Sequence, residues 1–156
     1  MPIILRASVL PGGVRLLIQR ERARLTRLGR FLVVGGTGVL VNSLALLVLF
    51  QWAHLALVLA SALAAELAIV NNFWWNDRWT FRLPLPADNK RTQLSLRRFA
   101  RFNLVSLAGL VITTGTLWVL ARHLGVYYLT ANLLGIALAT AWNFVANSLW
   151  TWGGAQ

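Results

Sequence analysis

The chain has 156 residues, 58% of them hydrophobic and only 12% charged, with a formal net charge of +11 and no cysteine. Soluble domains carry about 25% charged residues, so an ordinary globular protein is excluded, and without cysteine so are a disulfide framework and a thiolate metal site. The basic residues flank apolar stretches, a pattern that reads as membrane topology and contact with anionic lipid headgroups and not as nucleic-acid binding.

Residues 1–29 form a basic N-terminal segment with Arg6, Arg15, Arg20, Arg22, Arg24 and Arg27 interleaved with leucines. From Val14 to Gly29 the pattern fits a helix lying on the membrane surface; Pro11, Gly12 and Gly13 favour a loose extreme N-terminus. Four apolar runs follow, near Phe31–Phe50, Leu55–Trp75, Phe102–Leu120 and Val126–Leu149. Each has the roughly 20 residues that a helix needs to cross about 30 Å of hydrocarbon. No small-residue cleavage site follows the first run, so it is expected to be a span and not a secretory signal. Short connections near Gln51–His54 and Ala121–Gly125 make each pair an antiparallel hairpin, and a polar loop extends to Arg98. His54 and His123 lack metal-ligand spacing and read as interfacial polar residues.

Arginine sets the expected orientation. Seven lie at or before Arg30, seven Lys or Arg lie from Arg78 through Arg101, and the hairpin connections hold only Arg122. The positive-inside rule then puts both termini and the central loop on the cytoplasmic side of the inner membrane. The fold class is all-α integral membrane, four transmembrane helices in two tandem hairpins.

Sliding the sequence by 71 residues aligns the two halves without a gap, residues 30–81 on 101–152, with 16 identities in 52 pairs. Matched apolar residues carry little weight in membrane spans. The matched pairs Arg30/Arg101, Asn72/Asn143, Asn76/Asn147 and Trp79/Trp150 carry much more. Two spans per copy is an even number, so the repeat is of the parallel kind. The organisation expected is a segment 1–29, repeat 30–81, loop 82–98 and repeat 99–152.

The second span has Ala60, Ala64, Ala68, Asn72 and Asn76 at spacing four, and the fourth has Ala131, Gly135, Ala139, Asn143 and Asn147. Residues four apart stack along one face. Small residues let another helix approach closely, and the paired amides beyond them offer donors and acceptors to a ligand or to a neighbouring helix. Trp79 and Trp150 fit both an interfacial belt and a surface on which a sugar ring could stack. Glu66 falls mid-span, where an ionised carboxylate costs at least about 2.5 kcal/mol, which makes it a functional candidate. It lies about 160° around the helix from Ala68, off the asparagine face; Asp77, eleven residues on, shares its face. Arg30 and Arg101 open the first and third spans, placed both for topology and for gripping phosphate.

The duplicated pattern, Arg-Phe opening a hairpin and Asn-Phe-x-x-Asn-x-x-Trp-Thr closing it, resembles the GtrA-like family over residues 27–152. The resemblance implies a small four-helix protein of cell-surface polysaccharide synthesis, without catalytic residues or cofactor. Its members translocate a polyprenyl-phosphate-linked sugar or support the glycosyltransferase that makes or uses it. The sugar headgroup would meet Asn72, Asn76, Asn143, Asn147, Trp79, Trp150, Glu66 and Asp77. The phosphate would meet Arg30, Arg101 and Arg78, the family's basic position after the second asparagine; the second copy has Leu149 there. Partners implied are the lipid-linked sugar, membrane lipid and a membrane glycosyltransferase, and a homo-oligomer is compatible with four short helices. A small ion-coupled exporter fits poorly, because Phe31–Phe50 holds no ionisable residue.

Overall fold

The computed structural model describes residues 12–82 and 90–153. Gly12 and Gly13, expected to be loose, already belong to the first helix, while the residues before Gly12, the middle of the central loop and the last three residues lie outside this range. The described residues form four helices: α1 (Gly12–Leu47), α2 (Leu57–Trp75), α3 (Lys90–Trp118) and α4 (Tyr128–Ala146). All four are long and apolar enough to cross a membrane, and the chain is a multi-pass membrane protein. Helices satisfy their own backbone hydrogen bonds, which hydrocarbon cannot do for them.

Two boundaries differ from expectation. The basic stretch from Val14 to Gly29 is helical but continues without a break into the first span, as one helix of 36 residues. Gly29 has open space around it and good helix formers on both sides, so nothing bends the chain there. The polar loop expected to reach Arg98 is shorter, because α3 already starts at Lys90. Lys, Arg, Gln and Leu are good helix formers, so the helix begins before the apolar run does.

Each span ends in one wide turn with i→i−5 hydrogen bonds: Ala53 N–H donates to Val48 O at 2.9 Å, Phe81 to Asn76 O at 2.9 Å, Leu124 to Val119 O at 3.3 Å and Trp152 to Asn147 O at 3.0 Å. Members of these pairs stand 71 residues apart. So do the two left-handed residues of the hairpin connections, His54 at φ 54° and Gly125 at φ 64°.

The principal packing is within each hairpin, α1 on α2 and α3 on α4. The small stripes make it. Ala60, Ala64, Ala68, Ala131, Gly135 and Ala139 are all buried. A Cβ on Gly135 would stand 2.8 Å from Thr113 O, backbone that cannot yield. Only the asparagine ends of the two stripes reach the space between the hairpins. Spacing four overshoots 3.6 residues per turn, so each step rotates about 40°. A stripe that starts against the partner helix therefore turns, by Asn76 or Asn147, toward the other hairpin.

The hairpins meet at the end where α2 and α4 finish. Phe31, Phe81, Phe102 and Trp152 form a buried cluster there, with Phe73 and Phe144 against it. Trp152 stacks on Phe81 with centroids 4.2 Å apart and planes at 10°, and its indole N–H donates to Asp77 Oδ1 at 3.0 Å. Asp77 also holds Arg98 of α3, at 3.2 Å to Nε and 3.4 Å to Nη2. Trp152 is 1% exposed and Arg98 is buried. Breaking a buried ion pair by removing one partner costs about 3–5 kcal/mol. Asp77→Ala and Arg98→Ala are therefore each expected to destabilise docking of the hairpins by about 3 kcal/mol, and the double variant by clearly less than the sum of the two. Unfolding in detergent or bicelles across that mutant cycle measures it; strict additivity would dissolve the clasp.

Candidate functional site

The rotation of the stripes brings four amides together. Asn72 lies over Gly38 of α1, where an added Cβ would collide with its amide; Asn143 lies over Gly109 of α3, where a Cβ would stand 2.8 Å from Nδ2. Asn71 donates to Thr37 Oγ1 at 3.1 Å and to Asn72 Oδ1 at 3.3 Å, which orients Asn72. One turn on, Asn76 is 1% exposed and Asn147 fully buried. Thr151 Oγ1 donates to Asn147 Oδ1 at 2.7 Å. Asn76 Oδ1, Asn143 Oδ1 and Asn147 Nδ2 have no partner among the described residues. A buried polar atom left unpaired costs about 1–3 kcal/mol, so three in one place mark a locus built to receive hydrogen bonds.

All four asparagines line a single cavity of about 290 Å³ between the hairpins. Every helix contributes: α1 through Phe31, Gly35 and Gly36, α3 through Phe102 and Ser106, α4 through Ile136 and Thr140. The glycines provide width, since neither has an atom within 4 Å of where a Cβ would sit. Apolar walls with a few convergent polar groups are what small-ligand sites have in common.

Two arginines adjoin lining residues in sequence without being in the lining themselves. Arg30 directly precedes Phe31, and Arg101 precedes Phe102. Arg30 Nη1 donates to Trp79 O at 3.1 Å with the guanidinium 5.6 Å from the Trp79 ring centroid. Arg101 repeats this on Trp150 at 3.0 Å and 5.4 Å. Each closes its hairpin by tying the start of one span to the end of the next. A guanidinium has five N–H groups, so most donors of each remain for an anion. Arg78 is exposed and stacks 4.2 Å over Trp74.

Other sequence candidates lie elsewhere. Trp79 and Trp150 are outside the lining, where their carbonyls and rings hold the arginines. Asp77 is engaged in the clasp with Arg98 and Trp152. Glu66 accepts a 3.1 Å hydrogen bond from Asn103 Nδ2 of α3, bridging the hairpins away from the cavity. Sequence reasoning passed over Ser106 and Thr140, whose counterparts 71 residues earlier are Gly35 and Ile69; without a repeated hydroxyl there was no signal. Thr80 and Thr151 are buried under the asparagines, and their signal was the repeated Trp-Thr.

The seat under Asn72 is testable. Gly38→Ala gains up to about 1 kcal/mol of helix propensity but displaces the Asn72 amide, so stability is expected to hold while ligand-dependent function falls several-fold. Gly115→Ala, with open space around it, is the matched control. Equal function in both variants would remove Asn72 from the site.

A family model described as GtrA/DPMS, transmembrane domain, matches residues 30–152. Dolichol-phosphate mannosyltransferase of Pyrococcus furiosus is 36% identical over 135 residues, which are 86% of this chain and 36% of that protein. The uncharacterized membrane protein YngA of Bacillus subtilis is 27% identical over 132 residues, 85% of this chain and 83% of its own length. The chain thus spans about a third of the mannosyltransferase it matches.

Proposed function

The chain belongs to the GtrA/DPMS transmembrane-domain family, and from that premise we propose that it translocates a polyprenyl-phosphate-linked monosaccharide across the cytoplasmic membrane for cell-surface glycosylation. The observation that carries the reading is the set of unpartnered amide atoms in one cavity between two hairpins. The sugar sits among Asn72, Asn76, Asn143 and Asn147. The phosphate, which cannot enter hydrocarbon unpaired, stays with Arg30 and Arg101 at the edge, and the polyprenyl tail remains in lipid. Arg78 serves as a further phosphate contact on the first-repeat side only. On this reading the chain makes and breaks no covalent bond.

The first test uses purified protein in liposomes with a short-chain polyprenyl-phosphate sugar, following how fast the sugar becomes accessible on the opposite leaflet. Wild type is expected to accelerate exchange over empty liposomes. Asn76→Ala and Asn147→Ala are each expected to slow it about tenfold, the equivalent of one lost hydrogen bond, with unfolding curves run alongside. Glu66→Gln keeps an acceptor for Asn103 and is expected to retain exchange.

One relative favours a second reading. The Pyrococcus furiosus match is named a mannosyltransferase and is much longer than the matched region, which suits a membrane partner that anchors a separate glycosyltransferase. No acceleration of exchange from demonstrably folded protein would favour it.

Orientation is tested separately. Because the chain has no cysteine, single substitutions label cleanly. An impermeant maleimide is expected to reach Gln51→Cys and Arg122→Cys from outside the cell, and Gly153→Cys only after permeabilisation. The reverse pattern would invert the topology.

A further inference from the structure

We infer that the asparagine cavity selects a single uncharged sugar ring and rejects rings bearing an ammonium or a carboxylate. The inference rests on the translocation reading above and adds what that reading leaves open, the chemical class of the sugar.

The lining carries the argument. Its polar side chains are four amides and two hydroxyls, and among the described residues none that lines it is ionisable. The two hydroxyls have their protons committed to backbone, Ser106 to Phe102 O at 2.9 Å and Thr140 to Ile136 O at 2.7 Å. They therefore face a ligand as acceptors. Asn76 Oδ1 and Asn143 Oδ1 are unpartnered acceptors, and Asn147 Nδ2 is an unpartnered donor. A ligand that meets all of these must both donate and accept. Sugar hydroxyls do both, whereas an ammonium only donates and a carboxylate only accepts. The ammonium of an amino sugar cannot serve Asn147 Nδ2 and the carboxylate of a uronic acid cannot serve the two Oδ1 atoms, so those contacts fall to the fewer hydroxyls that remain on the ring.

Charge adds to the mismatch. A charge buried at membrane depth needs a partner of opposite sign. The nearby carboxylates are engaged: Asp77 by Arg98 and Trp152, Glu66 by Asn103. Arg30 and Arg101 directly precede the lining residues Phe31 and Phe102; their positive charge disfavours an ammonium, and on the translocation reading they are taken up by the phosphate. The volume of about 290 Å³ is near the lower end of the roughly 300–1,000 Å³ of ligand pockets, which suits one ring.

The test compares leaflet exchange of three short-chain polyprenyl-phosphate carriers in liposomes with and without wild-type protein. They bear glucose, a 4-amino-4-deoxyhexose and glucuronic acid. The glucose carrier is expected to exchange at least tenfold faster than either charged one, each corrected for empty liposomes. Asn143→Asp replaces an amide by an isosteric carboxylate and is expected to raise the amino-sugar-to-glucose ratio at least tenfold, a change that mere loss of packing would not produce. Equal exchange of all three carriers by wild type would overturn the selectivity while leaving translocation standing. Exchange of none by folded protein would overturn the translocation reading, and the selectivity with it. An unchanged ratio in a folded, active Asn143→Asp would remove the amides as the source of discrimination.

Discussion

The arrangement depends on one ion-paired carboxylate. Asp77, at the end of the first hairpin, is held by Arg98 in the third turn of α3 and by the indole of Trp152 at the end of the second hairpin. Within each hairpin, close packing of small residues suffices. Between hairpins that packing is sparse, and lipid offers no hydrophobic force to press helices together. A largely buried charge pair, capped by the Trp152 indole, supplies the missing attraction where the dielectric is low.

The two hairpins share a plan and differ where it matters. Arginine-to-carbonyl ties, glycine seats for asparagines and wide final turns recur 71 residues apart. The differences lie around the cavity. Asn71 orients Asn72 in the first hairpin, but its counterpart Trp142 donates to Val105 O instead. Thr151 Oγ1 bonds Asn147, while its counterpart Thr80 Oγ1 has no partner among the described residues. On the proposed translocation reading, a ligand between the two related halves would meet unequal sets of donors and acceptors, which would define its orientation as strict symmetry would not.

The reading of Glu66 shows how far a single residue can be carried. Its mid-span position predicted a special role, and its helical phase predicted that it would leave the asparagine face. The phase argument holds: Glu66 faces α3 and meets Asn103. The partner was not legible, because Asn103 has an apolar counterpart, Leu32, in the first repeat and no motif around it. Asp77 shares its face, as the eleven-residue spacing required, but its role in joining the hairpins depends on Arg98 and Trp152, which are 21 and 75 residues away in sequence.

By itself the sequence determined four membrane-spanning helices, their pairing into hairpins, the duplicated positions and the asparagine stripes. These follow from local quantities: apolar length against bilayer thickness, loop length and helical period. Only the tertiary structure decided that the small ends of the stripes pack inward within each hairpin while their asparagine ends converge across both. It alone decided that Asp77 and the two tryptophan carbonyls are engaged by arginine, and that Ser106 and Thr140 join the lining. These depend on how one hairpin is seated against the other, and that is set by a few long-range polar contacts in a low-dielectric medium, which no periodicity within a single helix encodes.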